Sequence, residues 1–394
     1  MTPLLLADVR PWGDDPVDLL VDGDRIADVV PAGSGTAARR VEGRGLLALP
    51  GLVNAHAHVD KSWWGRPWQP YGGEQTTQGR IAHERAERDA LGIPSVEATV
   101  RVLRELLRHG TTAVRSHVDV DLGVGLRGLD VVREAAAALD GAVEVEVVAF
   151  PQDGVVRRPG VLDLLDAAAA AGAASVGGLD PCSIDRDPVA QLDGLCAIAE
   201  RHGCGLDLHV HDGGELGGFT YDLVLERVRR HGLQGRVTVS HGFALGELPP
   251  ARQERLLDEL AELDVAWTTV APVRSAPLPW AGMRQRRVGL GLGTDGIRDL
   301  WSPFGDGDLL RVALDFARLH GLRTDGDLTA AVEAASVGGA RFVHRDVHGL
   351  VPGARADVVL LDAENVPDAL VRAPRREVVL AGGRVVVRDG ELLV

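Results

Sequence analysis

Apolar and polar positions alternate at period two near both ends of this chain and switch to helical spacing in between. The first stretch contains LLLADVR, DLLVDGDRIADVV and GRGLLALP, and beyond Ala354 the runs ADVVLLDA and REVVLAGGRVVVRDGELLV have the same habit. Turns bearing Gly or Asp, such as Asp22-Gly23 and Gly382-Gly383, separate these runs as strand connections require. The two ends are therefore expected to pair into one small β domain built from residues 1–48 and 346–394.

Residues 49–345 alternate strand and helix patterns. Eight strands are predicted: Leu46–Val53, Thr112–Val120, Val143–Phe150, Ala174–Leu179, Gly205–Val210, Arg236–Ser240, Val265–Ala271 and Val288–Gly293. Several are apolar along most of their length, as parallel strands buried on both faces must be. Segments such as Val96–His109, Val189–His202 and Leu309–His320 place apolar residues at helical intervals. Eight such units over roughly 250–300 residues fit a (β/α)8 TIM-type barrel, with a doubly wound open sheet as the competing architecture.

Composition narrows the partners. The chain has 394 residues, 57 acidic against 42 basic, and a formal net charge of −15. That balance disfavours nucleic acid and anionic membrane surfaces. No apolar run approaches the ~20 residues of a membrane-spanning helix, and the first residues do not read as a signal peptide. Cys182, Cys196 and Cys204 form no CxxC pair, which fits a reducing compartment and a cytoplasmic protein. Self-association stays open. Of the 42 basic residues one alone is lysine, Lys61. Arginine is larger, planar and permanently charged, so a site that needs a small ammonium would resist the exchange.

The chemistry-bearing residues gather where predicted strands end, the place where (β/α)8 barrels build their sites. His56 and His58 follow the first strand, His209, His211 and Asp212 the fifth, His241 the sixth and Asp295 the eighth. Histidines two apart on a strand point to one side and can share a borderline metal. His117 and Asp119 in the second strand and Asp180 after the fourth are further pocket-facing candidates. Trp63, Trp64 and Trp68 follow the first strand, where they either pack over the barrel mouth or cover a flat ring.

The ordered set PGLVNAHAH, LHVHD, SHGF and GTDG, with TTAVRSHVDVD, VAFPQDG and WSPFG between and after them, resembles the amidohydrolase superfamily, in particular its heterocycle-deaminating members. The resemblance implies a (β/α)8 barrel with a small β-sandwich from both chain ends. It implies that His56, His58, His209 and Asp295 hold one divalent metal ion, zinc or alternatively iron. Asp295 would also take the proton of the metal-activated water, and His241 would steady the attacked carbon's oxygen. Gln152 would contact the substrate ring, joined by Lys61, Trp63, Asp180 and Trp301. Binuclear members usually bridge their metals through a carboxylated lysine on strand four, which this chain lacks. The implied reaction is hydrolytic loss of ammonia or an amine from a planar nitrogen heterocycle such as an oxo-pyrimidine or triazine. Ring opening of a cyclic amide and a non-catalytic ligand-binding barrel are the alternatives.

Two positions depart from the pyrimidine-deaminating pattern. Asp212 stands where those enzymes have a glutamate, and Gly296 where they have a second aspartate. On an extended strand His211 shares the side of His209 while Asp212 turns away, so His211 is the favoured proton shuttle, ahead of Asp212. Glu215, in the apparent loop GGELGG, ranks third.

Overall fold

The computed structural model describes residues 2–394. Four strands open the chain, β1 (Leu4–Pro11), β2 (Val17–Asp22), β3 (Arg25–Pro31) and β4 (Arg39–Pro50). Eight parallel strands follow: β5 (Leu52–Ala57), β6 (Thr111–Asp119), β7 (Glu144–Phe150), β8 (Ser175–Leu179), β9 (Gly205–Val210), β10 (Val237–His241), β11 (Ala266–Thr269) and β12 (Leu290–Leu292). They hydrogen-bond in sequence order, and a parallel bridge between Ala57 and Asp295 brings the last strand back to the first. This is the (β/α)8 barrel. Helices pack outside it through apolar faces. Val96–Arg108, for example, starts at the Ser95 side-chain cap and buries Val102, Leu103, Leu106 and Leu107 on one stripe.

The chain ends meet in the second sheet. Here β13 (Val358–Leu361), β14 (Arg376–Ala381), β15 (Arg384–Arg388) and β16 (Glu391–Leu392) join β1 to β4 in the order β16-β15-β14-β13-β4-β1-β2-β3. The sheet encloses its own apolar core, including Leu4, Leu6, Leu19, Val41, Val358 and Leu380. Edge strand β3 returns toward β13, since Ile26 N–H donates to the Ala354 carbonyl at 2.9 Å.

One predicted strand divides. The run Leu46–Val53 looks continuous by periodicity, yet its first part belongs to β4, pairing with β1 and β13, and the barrel strand begins at Leu52. The break falls at Pro50-Gly51. A Cβ on Gly51 would lie 2.3 Å from Thr112 Oγ1 and 2.7 Å from Asp357 Cβ, so only glycine lets the chain pass between the two sheets there. The sequence pattern also left out the helix Thr77–Glu87, which the Thr76 side chain caps and which carries Glu84 to the barrel mouth.

Asp357 fastens the two sheets. Its carbonyl accepts from Gly51 N–H at 2.9 Å, and its buried carboxylate accepts from Arg345 at 2.9 Å, from Gly382 N–H at 2.8 Å and from Arg355. Burial works to raise this carboxyl, but Arg355 and Arg345 hold it below the ordinary carboxylate range. A depressed folded value contributes stability above the unfolded value near ~3.9 and loses it as pH falls through the folded one. Replacing Asp357 by asparagine is therefore expected to destabilise the fold by about 3 kcal/mol at neutral pH, the order of a broken buried ion pair. Denaturant titrations should show the gap to the unmodified protein narrowing as the pH is lowered below ~4.

Candidate active site

Strand ends bring the histidines together. His56 lies in β5, completely buried, with His58 just beyond the strand, His117 in β6, His209 in β9 and His241 at the end of β10. Three of the site residues sit on left-handed backbone, Asp180 at φ 33°, His241 at φ 66° and Asp295 at φ 59°. Conformations this sparsely populated for residues with a side chain persist where surrounding contacts enforce them. Asp295 N–H donates to the His56 carbonyl at 3.0 Å, and the His241 carbonyl accepts from Trp267 Nε1 at 3.0 Å. Gly293 permits the first contact. A Cβ there would come within 2.4 Å of the His56 carbonyl oxygen.

The ring centre of His56 is 4.1 Å from that of His117 and 4.7 Å from those of His209 and His241. Asp295 Oδ1 approaches His56 Nε2 at 3.6 Å and His58 Nε2 at 3.3 Å. Two overlapping groups have atoms within 4.8 Å of one another: His56, His58, His117 and His209, and His56, His241 and Asp295. Buried polar atoms ordinarily find partners. Yet His56 Nε2, His58 Nδ1 and both ring nitrogens of His209 have none among the described residues. Burial depresses His58, His209 and His241 well below the ordinary histidine range, so the imidazoles are neutral, the form that binds metal. Asp295 behaves oppositely: burial would raise it, but contacts from His56 and His58 hold it well below the carboxylate range. Neutral imidazoles with free nitrogens around an ionised carboxylate fit a divalent cation.

Above this cluster opens a cavity of about 70 Å³. Lys61, Gln152, His211, His241 and Trp301 line it, together with Phe150, Leu179, Asp299 and Ser302, which sequence reasoning missed. Lys61 is buried among acceptors. Its Nζ donates to Gln152 Oε1 at 2.5 Å and forms ion pairs with Asp119 Oδ1 at 2.9 Å and Glu84 Oε1 at 3.7 Å. Burial opposes its charge, but Asp119, Glu84 and Asp60 outweigh that and raise the ammonium above its ordinary value. Three acceptors converging on one small cation suit an ammonium better than a planar guanidinium. Because Gln152 gives its oxygen to Lys61, its amide N–H groups are left for other acceptors.

His211 is held by Asp180, which accepts from its Nδ1 at 2.9 Å and from its backbone N–H at 2.5 Å. Burial would lower this imidazole, yet the hydrogen bond and charge of Asp180 raise it. Asp180 and Asp212 do not themselves line the cavity. Glu215 is placed differently from the loop expectation. It begins the helix Gly214–His231, is exposed and pairs with Arg252. Trp63 is buried outside the cavity lining, its ring centre 5.3 Å from Trp68. A larger cavity of about 530 Å³ lies at the opposite end of the barrel, lined by the strand starts Ser175, Gly205, Val237 and Ala266, and none of the clustered histidines reaches it.

Residues 95–394 match the sequence model of the amidohydrolase family. The chain belongs to that family, as an enzyme acting on carbon–nitrogen bonds. It is 28% identical over 388 residues to N-isopropylammelide isopropyl amidohydrolase of Pseudomonas sp. (strain ADP), covering 95% of this chain and 94% of the relative. The crystal structure of N-isopropylammelide isopropylaminohydrolase from Burkholderia multivorans ATCC 17616 superposes with a TM-score of 0.95 at 44% identity, covering 100% of both chains. A 5-methylcytosine deaminase from Klebsiella pneumoniae shares the fold, with a TM-score of 0.83 at 24% identity over 98% of this chain and 97% of its own.

In this amidohydrolase a buried polar network stands behind the histidines. His56 Nδ1 lies 3.0 Å from Ser240 Oγ, which donates to Asp207 Oδ1 at 2.5 Å. Asp207 Oδ1 is also 3.2 Å from His117 Nε2, and its other oxygen accepts from Arg115 at 2.9 Å. Burial would raise the Asp207 carboxyl, but His117 and Arg115 keep it ionised. Asp207 sits two residues before His209, a spacing that puts both on one side of β9 and that could have flagged it. Such partners fix the tautomer and aim of a ligating ring. Asp207→Asn is expected to weaken metal binding about 10–100-fold, measured by chelator competition on the folded protein. Unchanged affinity would confine the network to a structural role.

Proposed function

We propose that this amidohydrolase removes ammonia or an amine hydrolytically from a planar nitrogen heterocycle that carries a ring oxygen, an oxo-pyrimidine or hydroxy-triazine. The observation that carries this reading is the shared cavity. His211, backed by Asp180, and Lys61 with Gln152 face one space whose floor is the histidine–Asp295 cluster. The likeness to the two proteins named for N-isopropylammelide supports the triazine side of the choice.

His56, His58, His209 and Asp295 would hold one divalent ion, zinc by its preference for imidazole and carboxylate, with iron the alternative. When bound, such an ion supplies a Lewis acid that brings the pKa of water toward ~7. The chain's residues do the rest. Asp295, kept ionised, accepts the proton of the attacking water. His241, a neutral imidazole on the cavity wall, hydrogen-bonds the oxygen that develops charge. His211 donates its proton to the ring nitrogen beside the attacked carbon, and Asp180 stabilises the imidazolium before transfer. The Gln152 amide N–H and the Lys61 ammonium orient the ring oxygen. Phe150 and Trp301 close the space around a flat ring. The strand β8 has no lysine, which supports a mononuclear site. All three cysteines are unpaired, consistent with a reducing cytoplasm.

Two measurements test this. Protein purified without chelator should contain one divalent ion per chain by elemental analysis and release ammonia or amine from a panel of amino-oxo-pyrimidines and amino-hydroxy-triazines. Two tightly held ions, or activity only on cyclic ureides, would replace this reading with ring opening. His211→Asn should lower turnover by about 10²–10⁴-fold, the range for a lost general acid, with metal content intact. Asp212→Asn should cost less; the reverse order would move the proton shuttle to Asp212.

A further inference from the structure

We propose that Asp299 is a specificity-determining residue whose free carboxylate oxygen accepts a hydrogen bond from an N–H of the substrate ring. The pocket then selects the lactam form of an oxo-heterocycle over a ring alkylated at that nitrogen. This rests on the deaminase reading and extends it to the tautomer recognised.

Asp299 lies four residues beyond Asp295 and lines the cavity, with only 5% of its surface exposed. One oxygen is committed. Oδ1 accepts from Trp301 N–H at 2.8 Å and Ser302 N–H at 2.7 Å, while Asp299 N–H donates to the Ser302 carbonyl at 3.0 Å. The two bonds to Oδ1 fix the carboxylate in one orientation. Oδ2 receives no hydrogen bond from the described residues and is in neither of the two networks around it. It stands beside Gly296 on the cavity lining, where a ligand can supply the missing donor.

Gly296 makes room for it. A Cβ at that position would stand 1.6 Å from Asp299 Oδ2 and 2.6 Å from its Cγ. Gly296 is absent from the left-handed glycines, so its backbone does not require glycine. The space does. Any side chain at 296 would evict the carboxylate that its absence admits. Burial raises the Asp299 carboxyl to about 6, with Lys61 opposing, which leaves the acceptor ionised at neutral pH.

The cavity then presents donors from Lys61 and Gln152 and an acceptor from Asp299. A ring carrying both a carbonyl oxygen and an N–H answers that polarity, and an N-alkyl ring answers only half of it. A site built to bond an N–H rejects the analogue that lacks it strongly, because its own buried group is left unpaired.

The test uses metal-loaded full-length protein, a dihydroxy-alkylamino-triazine and its ring-N-methyl derivative. Asp299→Asn keeps an oxygen for the two backbone N–H groups but turns a donor toward the cavity, and Gly296→Ala displaces the carboxylate without altering it. The unmodified enzyme is expected to prefer the N–H ring by at least ~100-fold in kcat/KM. Both variants should reduce that preference below ~5-fold, chiefly through KM, with metal content unchanged. A variant Asp299→Asn that retains the full preference overturns the inference while leaving the deaminase reading intact. If the unmodified enzyme processes neither compound, the deaminase reading fails by itself. Calorimetric binding of cyanuric acid, a ring with N–H groups and no leaving amine, then decides the inference. Binding at least ~10-fold weaker in Asp299→Asn supports it, and equal binding, including none to either protein, overturns it.

Discussion

The site depends on the closure of the barrel. Eight parallel strands form a sheet whose ends must meet, and they meet where Asp295 N–H reaches the His56 carbonyl and Ala57 bridges to Asp295. Residues 239 positions apart in the chain thereby become neighbours in one cluster. Glycine at 293 is the condition for that approach, because a side chain there would strike the His56 backbone. Without closure the carboxylate would stand alone at one sheet edge and the HxH pair at the other, and neither is a metal site.

Buried charge is the second constraint, and the protein handles it in layers. Neutral imidazoles surround Asp295 on the cavity floor. Behind them Arg115, Asp207 and Ser240 supply the fixed charges and hydrogen bonds that hold His56 and His117 in place. To one side Lys61 sits among Asp119, Glu84 and Gln152. Paired and hydrogen-bonded charges are the ones an interior tolerates, and each of these is paired. Unpartnered imidazole nitrogens of His58 and His209, and Asp299 Oδ2 without a donor, lie at the floor and wall of one cavity. Free donors and acceptors lining one cavity offer a ligand groups to satisfy.

Function and stability divide along the barrel axis and its flank. The carboxyl ends of the strands carry the cluster and the cavity, and the opposite end carries a larger hollow away from the histidines. The second sheet contributes no residue to the cavity. It seals the chain ends together and ties itself to the barrel through Asp357 and Gly51, so that the first barrel strand is anchored one residue after β4 ends. That anchoring fixes the register from which His56 and His58 emerge.

Local pattern was enough for the two-part architecture of end strands and a central run of eight strand–helix units, with the closed barrel favoured over an open sheet. Period-two runs at both ends, strand–helix alternation between them and apolar strands buried on both faces follow from residue order, since the period of apolar residues records which faces of each element are buried. The positions of His56, His58, His209, His241 and Asp295 at strand ends were legible for the same reason, because the strands that end there are local objects. What spacing could not show was which loop folds over which strand. The run Leu46–Val53 read as one strand although two sheets share it, because periodicity does not register a change of partner at Gly51. Glu84 arrives on a helix with no apolar stripe strong enough to announce it, and Asp299 on a loop that has no periodicity at all. Lys61 stood out by being the sole lysine, but its acids, Asp119 and Glu84, lie 58 and 23 residues away and were joined to it only by packing. The sequence determined the barrel and the residue types at its mouth through local propensity and pattern. The tertiary structure decided the pairings among them, because a hydrogen bond between distant segments depends on where the chain returns, and no local pattern encodes that.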